Sequence, residues 1–82
     1  MITINMYEKY GDIINIRSKA ENIFDNIPKN TTEVCIDFKN IAFMGRSFTQ
    51  EYYRQIKDKN IKVIEINKNK DIDAMIKAVF KS

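Results

Sequence analysis

The 82-residue chain is 44% hydrophobic and 30% charged, the balance of one small globular domain spanning 1–82 and not of a disordered segment. It has no histidine and one cysteine, Cys35, which removes the commonest general base, the imidazole-dependent nucleophiles, most zinc sites and any internal disulfide. The net charge of +3 is mild, and no apolar run reaches the roughly 18 residues that span a bilayer.

The beginning, Met1-Ile2-Thr3-Ile4-Asn5-Met6, has neither the basic flank nor the apolar core of a signal peptide. A cytoplasmic, non-catalytic protein with no metal, cofactor or membrane partner is expected. Ile2 to Met6 alternates apolar and polar residues and reads as a strand with one buried face. Tyr10-Gly11-Asp12 is a turn signal, and Ile13, Ile14 and Ile16 form a β-branched run suited to a second short strand. Ser18-Lys19-Ala20-Glu21 matches a capping box, in which the Ser18 hydroxyl accepts from the Glu21 amide while Glu21 reaches back. Ala20, Ile23, Phe24 and Ile27 follow at helical spacing, and Pro28 ends the helix.

Val34-Cys35-Ile36-Asp37-Phe38 reads as a central strand covered on both faces, with Cys35 a small buried hydrophobe and not a reactive thiol. Lys39-Asn40 turns the chain into a second apolar stretch, Ile41-Ala42-Phe43-Met44. Ser47-Phe48-Thr49-Gln50 is a second capping-box match, opening a helix to about Asp58 with Phe48, Tyr52 and Ile56 inward. Lys62 to Ile66 alternates like a strand, and Asn67 to Lys70 is a polar loop. Asp71 or a near neighbour then caps a last helix whose stripe is Ile72, Met75, Ile76, Val79 and Phe80. The order predicts an α/β fold: a mixed, mostly parallel sheet with about three helices packed against it.

The excess positive charge sits late, in Lys57, Lys59, Lys62, Lys68, Lys70, Lys77 and Lys81 against Asp58, Glu65, Asp71 and Asp73. Nucleic-acid binding through this third is one alternative function. The alternation in sign favours solvated helix faces instead.

In parallel sheets ligands and partners meet the loops beyond the C-terminal strand ends, here Lys39 to Ser47 and Asn67 to Asp71. The first holds Met44-Gly45-Arg46-Ser47. Gly45 is free to adopt a positive φ, and Ser47 stands at a helix start that favours negative charge, with Arg46 beside it. A phosphate on Ser47 or a partner's carboxylate would be welcome there, and a small anion-binding domain is a third function. The plain reading is that Ser47 is an N-cap and Arg46 a solvated neighbour.

The stretch Val34-Cys35-Ile36-Asp37-Phe38-Lys39-Asn40-Ile41-Ala42-Phe43-Met44-Gly45-Arg46-Ser47-Phe48-Thr49-Gln50-Glu51 resembles the STAS-like domains, relatives of the anti-sigma factor antagonists. Arg17 with Ala20 looks like that family's Arg-x-x-Ala at the first helix, and Asn67 with Ile72, Met75 and Ile76 looks like its pattern at the last, so the resemblance covers most of the chain. It implies a regulatory interaction module that docks a protein partner, a histidine-kinase-like ATPase in the antagonists. In those proteins the turn reads Asp-Ser-Ser-Gly and its first serine is phosphorylated. Gly45 falls on that Asp, Arg46 on the phosphorylated serine and Ser47 on the second serine, so the phosphoserine switch does not transfer intact. Thr49-Gln50 also departs from the family's Ala-Asp, while Glu51 is retained.

The residues expected to meet a partner are therefore Gly45, Arg46, Ser47, Glu51 and Tyr53, with Ser47 a candidate phosphoacceptor. Asp37, Arg17 and Asn67 are expected to support the turn. Asp37 would accept backbone amides. Arg17 would bind an anion or pair with Asp37 or Glu51. Adjacent Tyr52 and Tyr53 cannot share a helix face, so one is core and the other, beside Arg54, suits an interface. Met44 and Met75 are expected as core filler.

Overall fold

A computed structural model describes residues 2–81, so Met1, Ser82 and the outer limits of the expected domain lie outside the described residues. The chain runs β1 (Ile2–Asn5), α1 (Met6–Tyr10), β2 (Ile13–Ile14), α2 (Arg17–Asp25), β3 (Glu33–Asp37), β4 (Phe43–Met44), α3 (Arg46–Lys59), β5 (Lys62–Ile66) and α4 (Lys70–Phe80). Three strands form a parallel sheet in the order β1-β3-β5, with Ile4 opposite Ile36 and Ile36 opposite Glu65. β2 and β4 form a separate two-stranded parallel sheet, pairing Ile13 with Phe43 and Ile14 with Met44. The α/β class holds, with four helices against the sheets and every strand pair parallel.

β3 is central because its sequence can be buried on both sides. Val34, Cys35 and Ile36 are consecutive, so they point to alternate faces, and all three are buried. Ala20, Ile23 and Phe24 form the inner stripe of α2, and the helix stops at Asp25, ahead of Pro28. Phe48 and Tyr52 do the same for α3, with Ile56 half-buried. Tyr52 lies at the centre, its ring 6.1 Å from those of Phe24 and Phe48 and edge-on to Phe38 at 6.4 Å. Its hydroxyl donates to Glu65 Oε2 at 2.6 Å. Burial, reinforced by the Glu65 charge, pushes the Tyr52 phenol well above its ordinary pKa, so it stays a donor.

Two expectations, the end of the first strand and the capping boxes, need correction. The first strand ends at Asn5, not Met6, because the Asn5 side chain accepts from the Glu8 amide at 2.9 Å and starts the short helix α1. Gly11, at φ 81°, closes that helix in a conformation that favours glycine. Neither capping box forms. α2 and α3 begin at Arg17 and Arg46, so Ser18 and Ser47 fall at the second helical position, past the point where a hydroxyl can cap. Short strands feeding straight into helices leave Ile16 and Gly45 as the N-cap residues, with no side-chain cap bond at either. The last helix is capped by Asn69, whose Oδ1 accepts from the Ile72 amide at 2.9 Å.

Candidate functional site

The two connections expected to carry function lie together, but they present very different chemistry. Beyond β3 and β5 the loops are tied to each other. Asp37 Oδ1 accepts from the Lys39 amide and from Asn67 Nδ2, both at 2.9 Å. The Asn67 bond and the Lys39 amide together hold the Asp37 carboxyl below its usual pKa. Asn69 Nδ2 donates to the Ile41 carbonyl at 2.9 Å while its Oδ1 caps α4. Asn40 and Asn67 take positive φ angles of 69° and 59°, which asparagine tolerates better than most residues. This end of the sheet is closed by its own side chains.

The start of α3 is open. Arg46 and Ser47 are exposed, and their helix has no side-chain cap, which leaves first-turn amides for solvent or a partner. Thr49 is turned inward, its hydroxyl donating to the Gly45 carbonyl at 2.9 Å. Gly45 is buried with φ −75°, so a positive φ is not what requires glycine. Proximity is: a Cβ there would stand 3.0 Å from Asn15 Cβ and 3.1 Å from Asn15 Cα. The Gly45 amide also donates to the Ile14 carbonyl at 2.7 Å. The backbones of residues 15 and 45 thus touch just before both helix starts. Each start carries the same pair, Arg17-Ser18 on α2 and Arg46-Ser47 on α3, and all four residues are exposed.

Around these starts lies an apolar face. Ile13 and Phe43 are register partners in the β2–β4 sheet and are 52% and 50% exposed, while Ile14 and Met44, one step on, are buried. Ile16, next to Arg17, is 51% exposed. These three residues were not among the expected contact residues. The signal was the strand length: a two-residue strand points its side chains to opposite faces, so one of Ile13 and Ile14, and one of Phe43 and Met44, must face outward.

The remaining expected residues are committed within the fold. Glu51 is buried, with Arg54 Nε on its Oε1 at 3.0 Å, Gln55 Nε2 on its Oε2 at 2.8 Å and Arg54 Nη2 also on Oε2. Arg54 chiefly holds the Glu51 carboxyl below its usual pKa, with a minor contribution from the Arg17 charge. Arg17 makes no ion pair with Asp37 or Glu51 among the described residues, because both acids already have nearer partners. Tyr53 is half-buried and stacks on Phe80 with ring centroids 4.2 Å apart, under the Lys57 ammonium. Glu51 and Tyr53 therefore brace α3 and are not free contacts.

Elsewhere the structure is less suggestive. A shallow pocket of about 320 Å³, lined by Phe24, Asp25, Pro28, Lys29, Thr31 and Lys59, opens at the opposite, N-terminal end of β3 and β5. Among the described residues, no group of three or more His, Cys, Asp or Glu side chains could hold a metal ion, and no helix is long and apolar enough to cross a membrane. Several late lysines are paired: Lys62 with Glu33 at 3.8 Å, Lys68 with Glu65 and Asp73 at 3.2 Å each, and Lys77 with Asp73 at 2.9 Å. The chain was compared with protein-family models, curated proteins and solved structures, and none of the three comparisons yields a match.

Proposed function

We propose that this chain is a non-catalytic regulatory module, cytoplasmic in location, that docks a protein partner through the turn before α3 and the exposed residues beside it. The observation that carries the reading is the exposed Arg46-Ser47 pair at the uncapped start of a 14-residue helix. The resemblance of residues 34–51 to STAS-like domains supports the same surface and suggests a histidine-kinase-like ATPase as partner. Arg46 supplies a cation for a partner carboxylate or phosphate. Ser47 lies where an added phosphate would face first-turn amides and the positive end of the helix dipole, so phosphorylation there would change the sign of the surface without opposing the fold.

Glu51 and Tyr53 contribute by holding the helix in place, and Asp37 and Asn67 by fixing the loop that leads into it. The test is affinity capture from the native host with the wild-type chain and with Arg46→Ala. Recovery of an ATPase or regulator by the wild type, lost or much reduced with Arg46→Ala, is the expected outcome. Capture of no such protein, with the two chains behaving alike, overturns the reading.

A further inference from the structure

We propose that the outer face of the β2–β4 sheet, together with the two arginine-bearing helix starts, binds an acidic segment of the partner protein anchored by apolar side chains. This rests on the docking reading above and names the chemistry of what docks. Ile13, Ile16 and Phe43 are each at least half exposed, more than Tyr7, Ile66 or Phe80, the other exposed large apolar side chains among the described residues. Ile13 and Phe43 are paired in register, so they form a fixed two-residue platform and not separate mobile tips. Solvent-facing apolar residues grouped in this way mark interaction sites more often than isolated ones do.

Charge selects the occupant. The platform leads directly into Arg17 and Arg46, and the tight approach of Asn15 to Gly45 holds the two helix starts side by side. Both starts lack a side-chain cap, so first-turn amides reinforce the positive potential. A second copy of this chain docked symmetrically on the same face would set arginines near their own copies, since a two-fold contact matches a patch with itself. An acidic segment with leucine- or phenylalanine-like anchors satisfies both halves of the surface at once. The apolar side chains would cover Ile13 and Phe43, and the carboxylates would meet Arg17 and Arg46.

The test uses the full chain labelled with ¹⁵N and three synthetic 12-residue peptides. One alternates Glu or Asp with Leu or Phe, one replaces its acids by Gln and Asn, and one keeps the acids but replaces the apolar residues by Ala. Amide shifts at residues 13–18 and 42–47, caused by the first peptide and at least tenfold weaker with the other two, are expected. Ile13→Ser with Phe43→Ser, or Arg17→Glu with Arg46→Glu, should each reduce the affinity at least tenfold while leaving far-ultraviolet circular dichroism unchanged.

No localised shift up to millimolar peptide, or equal binding of the Gln/Asn peptide, overturns the proposal. So do shifts at these residues with vesicles of phosphatidylglycerol but not with peptide, or concentration-dependent self-association through them. The two readings fail separately. A captured host regulator that is lost with Arg46→Ala but retained by Ile13→Ser with Phe43→Ser leaves the docking function standing and removes this face from it.

Discussion

The two sheets end in opposite ways. Beyond β3 and β5, where an α/β fold ordinarily receives a ligand, Asp37, Asn67 and Asn69 bind one another's loops and leave little unpaired. Beyond β2 and β4, two helices start without side-chain caps and three large apolar residues face solvent. Buried polar groups pair within the chain, because leaving one unpaired costs about 1–3 kcal/mol. Among the described residues no buried side-chain nitrogen or oxygen lacks a partner. Exposed apolar area carries no such internal remedy, and this open face is where a partner is proposed to dock.

The comparison is sharpest inside the small sheet, where one register step separates the inner from the outer face. Ile14 is fully buried and Ile13 is 52% exposed. Ile14→Ala should cost about 2–5 kcal/mol, the range for truncating a buried aliphatic side chain. Ile13→Ala should change stability by no more than about 0.5 kcal/mol, as surface substitutions usually do. Urea unfolding of the two variants measures both. A comparable loss from the two would mean that the outer face is part of the core.

The contact that holds the two helix starts together gives the next largest effect. Gly45→Ala places a methyl group 3.0 Å from Asn15 Cβ and 3.1 Å from Asn15 Cα, and backbone cannot yield as a flexible side chain does. Overpacking of this kind costs about 1–3 kcal/mol, which outweighs the roughly 0.4–1 kcal/mol gained by stiffening the unfolded chain. A net loss of about 1–2 kcal/mol is therefore expected. Asn15→Gly in the same background should recover part of it, because it removes the Cβ that the new methyl meets. A stabilised Gly45→Ala protein would show that Asn15 yields enough to admit the methyl group.

The closed end can be opened one bond at a time. Asn69→Ala removes the cap of α4 and the bridge to Ile41 together, a loss of about 1–2 kcal/mol. Asn69→Ser retains a capping hydroxyl but not the bridge, and should recover about half of that. Equal losses in thermal unfolding would assign the whole effect to the bridge between the loops.

Much of this was legible in the sequence, for reasons that separate by length. The stripes of α2 and α4 and the apolar run of β3 are long enough for their period to outweigh local ambiguity, and their burial follows it except at the end of α4, where Phe80 is exposed. The helix starts were not legible. Ser18-Lys19-Ala20-Glu21 and Ser47-Phe48-Thr49-Gln50 have capping-box spacing, but a helix entered directly from a strand takes its N-cap from the strand's end. Five-residue α1 is too short to show a period, and its cap, Asn5, sits inside an alternating run that reads as strand. At the site, the exposure of Arg46 and Ser47 follows from their turn, whereas Glu51 is buried because Arg54 and Gln55, three and four residues on, fold over it. Pairing of that kind depends on rotamers and packing, which one-dimensional spacing does not carry.

The smallest expected effect concerns pH and again divides the two ends. Asp37 is bonded by Asn67 and the Lys39 amide, and its carboxyl sits below the usual range. A carboxylate with a depressed folded pKa adds stability that is complete above its unfolded pKa and is lost as pH falls through the folded value. Asp37→Asn keeps an oxygen acceptor but removes the charge, so it should be slightly less stable than wild type at neutral pH. The gap should close as the pH drops below the normal aspartate range and stay closed at lower pH. Glu51→Gln should behave alike, since Arg54 depresses its partner in the same sense. The paired acids of the closed end and of α3 thus carry an acid-sensitive share of stability, whereas Ile13→Ala and Phe43→Ala on the open face should run parallel to wild type at every pH. A gap for Asp37→Asn that persisted undiminished into strong acid would mean that its clasp on Asn67 owes nothing to charge.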